Sequence, residues 1–316
     1  PLFPKLDSRL DLLSCIREEI LPEIEELIKK FKIPQLINDD EYEKYRTNLL
    51  SVARELIDNF EDFRPEQDEA MRSILTGNNT LVVLPTGSGK SLTFQLPALL
   101  REGITLVFSP LIALMRDQVE QLKSKGLTIV DYIVSGQSGA HRDEVYRRMI
   151  KGQVNLVYIA PERIRDPALV KTLRQSNISQ VIVDEAHCIY MWGNSFRPDF
   201  LKIPSLFPDN CPPIAAMTAT ATQDTRQAIV DSLNFDESYK VVSRSINRPE
   251  LKFIVYNKRS SPEKIKSKQD KWRVLLKILT TVRKEDEVAI IYTSTVREAE
   301  RLSKLLNLSG FSVRHY

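Results

Sequence analysis

The segment Leu84-Pro85-Thr86-Gly87-Ser88-Gly89-Lys90-Ser91 limits the possible folds of this chain more than any other, because of what flanks it. A short β-branched run, Thr80–Leu84, leads into it, and a helical stretch follows. Strand, glycine turn and helix in that order suit a loop whose backbone N–H groups wrap a phosphate, backed by the positive end of the next helix. Thr86, Gly87, Ser88 and Gly89 would form the cradle. Lys90 would reach the β- and γ-phosphates as a point charge, and the Ser91 hydroxyl would ligate Mg²⁺. Leu84 stands where the strict pattern G-x-x-x-x-G-K-[ST] has glycine. The bland alternative is a glycine turn with an incidental lysine, which the strand–loop–helix context speaks against.

Such a loop needs a carboxylate at the end of a second apolar strand. Val181-Ile182-Val183 supplies the strand, and Asp184-Glu185-Ala186-His187 follows at once. Asp184 would hold the magnesium through its water shell, while Glu185 orients and deprotonates an attacking water. Two adjacent acids after a buried run are rarely structural, because burying an unpaired carboxylate is costly. Lys90, Asp184, Glu185 and His187 therefore form the candidate catalytic set. Together the two segments imply binding and hydrolysis of a nucleoside triphosphate.

The surrounding texture agrees. Thr80–Leu84, Thr105–Phe108, Ile129–Val134, Asn155–Ile159, Gln180–Val183 and Pro213–Met217 read as strands alternating with helical stretches. That alternation argues an α/β fold with a parallel, doubly wound sheet covered on both faces. Upstream, Leu10, Leu12, Leu13, Ile16, Ile20, Leu21, Ile24 and Leu27 recur near a 3.6 period. A second helical run passes through Tyr42, Tyr45, Leu49, Leu50, Ala53 and Leu56, with Asp39 or Asp40 as its cap. This N-terminal extension reads as a packing prefix or, alternatively, a docking module for a protein partner. A polar, lysine-rich stretch over 257–271 resembles a linker or exposed hairpin. A second α/β unit begins after it: helix Trp272–Arg283, strand Val288–Thr293, helix Val296–Leu308 and strand Phe311–Val313.

Composition excludes some classes and permits others. No stretch of about 20 uncharged apolar residues is present, so no membrane-spanning helix is expected. Residues 1–8 carry no signal-peptide pattern. Cys15, Cys188 and Cys211 lack any C-x-x-C pairing, which argues against a zinc ribbon or disulfide framework and fits a reducing compartment, bacterial cytoplasm or eukaryotic nucleus. Residues 1–63 hold 15 Asp/Glu against 9 Lys/Arg, whereas the remainder holds 27 against 36. An acidic prefix on a basic body suits a polyanionic partner, although many solvated surfaces look the same.

The sequence Asp184-Glu185-Ala186-His187 resembles the signature of superfamily 2 helicases, and its surroundings are similar to the RecQ family. Phe60-x-x-Phe63-Arg64-Pro65-x-Gln67 resembles that family's adenine-recognition motif. The resemblance implies that Phe60 stacks on the base while Arg64 and Gln67 hydrogen-bond near it; a glutamine amide both donates and accepts along adenine's edge. Cys188-Ile189-Tyr190-Met191-Trp192-Gly193-Asn194-Ser195-Phe196-Arg197-Pro198-Asp199-Phe200 is similar to the family's aromatic-rich loop. Trp192 and Phe196 would offer flat faces to unpaired bases, and Arg197 a cation. Such stacking is worth about 1–3 kcal/mol per base and reads no sequence. The alternative, that both aromatics are core residues, sits poorly with a polar, glycine-broken run.

Three further segments match the family in order. Phe108–Gln118, with Ser109, Pro110 and Arg116, and Tyr158–Arg163, with Pro161, Glu162 and Arg163, each open a helix after a strand, and helix starts suit backbone phosphates. Met217–Thr222 resembles the motif that links ATP state to strand movement, with Thr218 and Thr220 as coupling hydroxyls. The resemblance covers roughly 60–316. It implies a RecA-like first domain (60–250), a linker with an incomplete RecA-like second domain (251–316), and an acidic helical extension (1–59). It also implies ATP and Mg²⁺ as cofactors, single-stranded and branched DNA as partners, and 3′→5′ movement. In the family, the motif bearing an arginine finger and the zinc and winged-helix regions would follow Tyr316. Residues 1–316 alone are therefore expected to hydrolyse ATP poorly, since such an arginine is worth about 10³–10⁵ in rate in other NTPases. An RNA unwinder, a duplex translocase and an inactive nucleic-acid-binding scaffold of a repair or defence complex are the competing readings.

Overall fold

In a computed structural model, residues 24–190, 198–244, 254, 268–284 and 288–315 are described. The chain divides into two compact units at Asn247/Arg248.

The first unit is built on seven strands: β1 (Thr80–Val83), β2 (Ile104–Phe108), β3 (Val130–Ile133), β4 (Leu156–Ile159), β5 (Ile178–Val183), β6 (Ile214–Thr218) and β7 (Lys240–Ser243). They pair in the order β3-β4-β2-β5-β6-β1-β7, and every pairing is parallel. The expected α/β sheet is present. Six of the seven strands fall on the β-branched runs named above, with ends shifted by one or two residues. β7 was not anticipated: of Lys240, Val241, Val242 and Ser243 only Val242 is buried, so it lacks a hydrophobic signal.

Continuous apolar strands are what a sheet covered on both faces requires. Successive side chains go to opposite cores. Val82, Val107, Tyr158, Ile182 and Met217 pack with helices α2 (Tyr42–Leu56), α3 (Pro65–Leu75), α4 (Leu92–Leu100) and α5 (Ile112–Ser124). Leu81, Val83, Leu106, Val157 and Val181 pack on the other face with α6 (Gly139–Ile150), α7 (Pro167–Gln175) and α8 (Gln223–Ser232).

The N-terminal segment is part of this body. Helix α1 (described over 24–30) contributes Ile24 and Ile28 to the first core, and α2 contributes Tyr42, Tyr45, Leu49, Val52, Ala53 and Leu56. Ile33 N–H donates to Leu100 O (2.9 Å), and Glu102 N–H donates to Ile33 O (2.9 Å), stitching the connection to the end of α4. The cap of α2 differs from expectation. Neither Asp39 nor Asp40 caps it; Asn38 and Glu41 exchange backbone-to-side-chain bonds, Asn38 N–H to Glu41 Oε2 (3.0 Å) and Glu41 N–H to Asn38 Oδ1 (2.9 Å). The helical run expected over Leu10–Ile20 lies outside the described residues.

Among its described residues the second unit shows two helices, α9 (Lys268–Lys284) and α10 (Val296–Leu308). The first begins at Lys268, inside the stretch expected to be a linker. α10 starts on a Thr295 cap whose hydroxyl accepts from Glu298 N–H (3.2 Å). The strands expected at Val288–Thr293 and Phe311–Val313 are not formed: among the described residues neither run is a strand of the sheet. A strand exists only through its neighbour's hydrogen bonds. Val313 is instead held by Asn307, whose Nδ2 donates to Val313 O (2.9 Å) and whose Oδ1 accepts from Val313 N–H (3.2 Å).

Candidate nucleotide site and nucleic-acid face

Ligand sites of open parallel sheets lie beyond the carboxyl ends of the strands. Here β2, β5, β6 and β1 are consecutive neighbours, so the residues that follow them converge. Leu84 N–H donates to Thr218 O (3.0 Å), and Asp184 N–H donates to Phe108 O (2.8 Å), which locks the four strand ends in step.

After β1 the chain makes the expected glycine turn. Gly87 (φ +79°) and Gly89 (φ +76°) both occupy the left-handed region that favours glycine. A side chain at Gly87 would meet nothing within 4 Å, whereas one at Gly89 would strike Gln67 Nε2 at 2.3 Å. Thr86 and Gly87 are exposed, Ser88 is buried, and Ser91 precedes α4. The Ser88 hydroxyl is buried without a hydrogen-bond partner among the described residues. Lys90 Nζ lies 3.6 Å from Asp184 Oδ1 and 3.8 Å from Glu185 Oε1.

Asp184 and Glu185 differ in environment. Asp184 is only 9% exposed, and burial pushes its carboxyl upward, with Lys90 opposing the shift. Its Oδ2 accepts from the Ser109 hydroxyl (3.4 Å). Glu185 stands in the left-handed conformation (φ +51°), rare for a residue with a side chain and characteristic of strained functional turns. Its carboxyl is held below the usual range by the hydrogen bond from His187. His187 is raised to about 9, first by its hydrogen bond with the Cys188 side chain and then by Glu185. His187 Nδ1 sits 3.2 Å from both Glu185 Oε2 and Thr218 Oγ1. The Thr218 hydroxyl donates to Thr220 O (3.0 Å), so it is free to accept from the imidazole. A continuous polar path thus runs from Glu185 through His187 and Thr218 to the exposed Thr220.

The oxygen-only pair Ser91 and Asp184, with glycines clearing the backbone and a buried, unpartnered serine hydroxyl, fits a hard divalent cation and a phosphate chain.

Phe60, Arg64 and Gln67 flank this loop. Phe60 is half-buried, with its ring 5.3 Å from that of Phe63. Arg64 precedes α3 with its side chain exposed. Gln67 is buried: its Oε1 accepts from Arg64 N–H (2.9 Å) and its Nε2 donates to Ser88 O (3.0 Å). Both ends of the amide expected to read a base are therefore engaged with the phosphate loop and its flank.

The residues expected at nucleic acid divide in two. Arg116 is exposed on α5 with its guanidinium 5.9 Å from the Tyr132 ring centre, and Pro110 is partly exposed. Glu162 is exposed and accepts from Ser135 Oγ (2.9 Å). Ser109 is buried against Asp184, Pro161 is buried in a 3₁₀ turn, and Arg163 is paired with Asp166 within that turn. Trp192, Phe196 and Arg197 lie outside the described residues. Motif reading missed the half-buried Gln95, which donates to Tyr158 Oη (2.7 Å), and Arg46, which grips Asp62 and Asp68. Neither belongs to a spaced pattern, so no sequence signal could have found them.

A seven-stranded parallel sheet whose strand ends assemble a phosphate loop, an Asp-Glu pair and a threonine relay defines a P-loop α/β domain. The chain belongs to the DEAD/DEAH box helicase family, which it matches over residues 64–229, and within that family to the RecQ helicases. It is 35% identical over 270 residues to the ATP-dependent DNA helicase RecQ of Haemophilus influenzae, covering 84% of this chain and 41% of that protein. Against the RecQ helicase of Bacillus subtilis it is 37% identical over 263 residues, covering 81% and 42%. The chain thus spans about two-fifths of the length of the curated relatives it matches. Among solved structures, it superposes on the DUF1998 helicase MrfA with a TM-score of 0.64 at 18% identity, over 84% of this chain and 40% of that one. A hypothetical ATP-dependent RNA helicase from Sulfolobus tokodaii gives 0.50 at 22% identity, over 62% and 56%. At these identities the likeness is one of fold: a RecA-like sheet with flanking helices. No helix among the described residues is long and apolar enough to cross a membrane.

Proposed function

We propose that this chain carries the ATP-driven motor of a DNA helicase, which hydrolyses ATP to move along single-stranded DNA and so opens duplex or branched DNA. The observation that carries this reading is the position of Lys90 between Asp184 and Glu185 at the mouth of a glycine-cleared phosphate loop. Residues 60–250 would form the ATP-binding domain, 1–59 its helical extension and 251–316 the linker and part of a second motor domain. Movement 3′→5′ goes with the RecQ resemblance and a cytosolic or nuclear setting with the unpaired cysteines, and the acidic prefix leaves room for a protein partner.

The roles we assign rest on the RecQ resemblance, with the geometry of the phosphate loop and of the Asp184–Glu185 pair in support. Phe60, Arg64 and Gln67 would hold the adenine; Thr86 to Gly89 would cradle the phosphates by their N–H groups, and Lys90 would neutralise the β- and γ-oxygens. Ser91 and Asp184 would hold a Mg²⁺ ion, whose part is to offset charge on the phosphate chain. Glu185, kept ionised by His187, would orient the attacking water and take its proton. The path from Glu185 through His187 and Thr218 to Thr220 would report the state of the γ-phosphate to the DNA side, where Arg116, Pro110, Glu162, the 161–163 turn and the Trp192, Phe196 and Arg197 loop would meet the strand.

The test is ATP turnover against single-stranded DNA and RNA, on this chain and on the full-length gene product, with Glu185→Gln as control. Stimulation by DNA that Glu185→Gln lowers by about 10²-fold or more supports the proposal. Equal or greater stimulation by RNA favours an RNA motor, and absence of turnover in every form favours a binding scaffold.

A further inference from the structure

Arg46 stands on α2, outside every segment that carries a motif, yet it clamps both ends of the segment that leads to the nucleotide site. Its Nη2 donates to Asp62 Oδ1 (2.7 Å) and its Nε to Asp68 Oδ1 (2.7 Å). These two acids bracket Phe63-Arg64-Pro65-Glu66-Gln67, the core of the segment assigned above to the base. On one side, Asp62 Oδ1 also accepts from Phe63 N–H (2.7 Å), and the Arg46 guanidinium lies 5.7 Å from the Phe63 ring, against which Phe60 packs. On the other side, Tyr42, from the same helix, donates its hydroxyl to Asp68 O (3.0 Å), with Asp68 Oδ1 at 3.1 Å. From Asp68 it is one residue to Gln67, whose amide is bonded to Ser88 O of the phosphate loop.

The planar fork of an arginine places two donors at fixed separation, so it sets the distance between its two acceptors as well as pairing with each. A lysine, a single point donor, could satisfy either acid but not define the span between them. The segment between the acids holds Arg64 and Gln67, which would contact the base, and Phe63, against which Phe60 packs; small misplacement of positioning groups is costly to recognition.

We propose that Arg46 is a positioning residue for base recognition. By fixing Asp62 relative to Asp68 it aims Phe60, Arg64 and Gln67, and so sets the preference for adenine over guanine nucleotides. This rests on the assignment of those three residues to the base. It gives α2 a part in nucleotide choice, in addition to its place in the core.

The experiment titrates the 316-residue chain with ATP and with GTP, in the presence of Mg²⁺, by displacement of a fluorescent ADP analogue. Melting temperature without nucleotide is followed in parallel. Arg46→Ala is expected to narrow the ATP-to-GTP affinity ratio roughly fivefold or more, through weaker ATP binding with GTP little changed. Arg46→Lys is expected to melt close to the wild type but to restore only part of the ratio. If Arg46→Ala folds poorly, Arg46→Lys and Asp68→Asn carry the same readout. Equal loss of ATP and GTP affinity would reduce the clamp to a structural tie and overturn the proposal, as would an unchanged ratio. Gln67→Ala distinguishes the two levels: it should collapse the ratio. If it does so while the Arg46 variants do not, the positioning role alone fails; if Gln67→Ala leaves the ratio intact, the base assignment itself fails and the proposal with it.

Discussion

β1 and the run 288–293 are close in composition and opposite in fate. Both are short, β-branched and apolar, and both precede a helix. Leu81, Val82 and Val83 are buried between β6 and β7, whereas Val288, Ile290 and Tyr292 are 93%, 77% and 91% exposed. The difference lies in the neighbours rather than the residues. A β-branched run has a preference for extended backbone, but it becomes a strand only when a second run supplies the ladder and a helix layer covers its faces.

The largest effect expected from this contrast is in amide exchange. Amides of β1 should exchange about 10³-fold or more slowly than those of 288–293, because opening β1 requires breaking the sheet. Comparable rates in the two segments would break the comparison. Next comes stability. Leu81→Ala should destabilise the first unit by roughly 2–5 kcal/mol through a cavity between the layers, while Ile290→Ala should stay within about 0.5 kcal/mol, read by denaturant titration. A third, similar-sized effect sharpens the contrast by site. ATP with Mg²⁺ at about 100 times its Kd should add about 2.7 kcal/mol to the first unit and leave exchange in 288–293 unchanged. Lys90→Ala should abolish that gain, and a gain that survives it would remove the phosphate loop from the site.

The smallest effect concerns His187, which is raised from 6.5 to about 9 by the Cys188 side chain and by Glu185. A group raised by folding contributes stability that is whole below its unfolded value and fades as pH rises through its folded one. The melting-temperature advantage of the wild type over His187→Asn should therefore be full below pH 6.5 and shrink as pH passes 9. An advantage that grows with pH would contradict the imidazole's partners.

The same contrast explains what could be read from the chain unaided. Six strands were legible because both faces of the sheet are covered, and a run buried on both faces announces itself in consecutive Val, Ile and Leu. β7 was not, since three of its four residues face solvent. The runs at 288–293 and 311–313 misled because period and composition alone do not make a ladder. At the site, Gly87, Gly89, Lys90, Asp184 and Glu185 belong to short, spaced patterns and could be named in advance. Their convergence depends on the strand order β2-β5-β6-β1, which no local pattern encodes. Ser109 reads as a phosphate contact from its place before a helix, while its contact with Asp184 depends on the pairing of β2 with β5, which no local pattern encodes. Arg46 reaches its partners across 16 and 22 residues, beyond any spacing rule.

Lys90, Asp184, Glu185 and His187 stand close enough to act as one electrical unit. With the imidazole protonated, their formal charges sum to zero, so the resting pocket is a closed, self-neutral quartet. Taking away one member strands an unbalanced charge in a half-buried place, and that penalty is separate from whatever the lost group did. Lys90→Ala alone would thus leave the two acids repelling each other, and part of its effect would belong to them. Paired replacement, Lys90→Met with Glu185→Gln, keeps the balance, and its departure from the sum of the single changes would measure how much each group matters for itself.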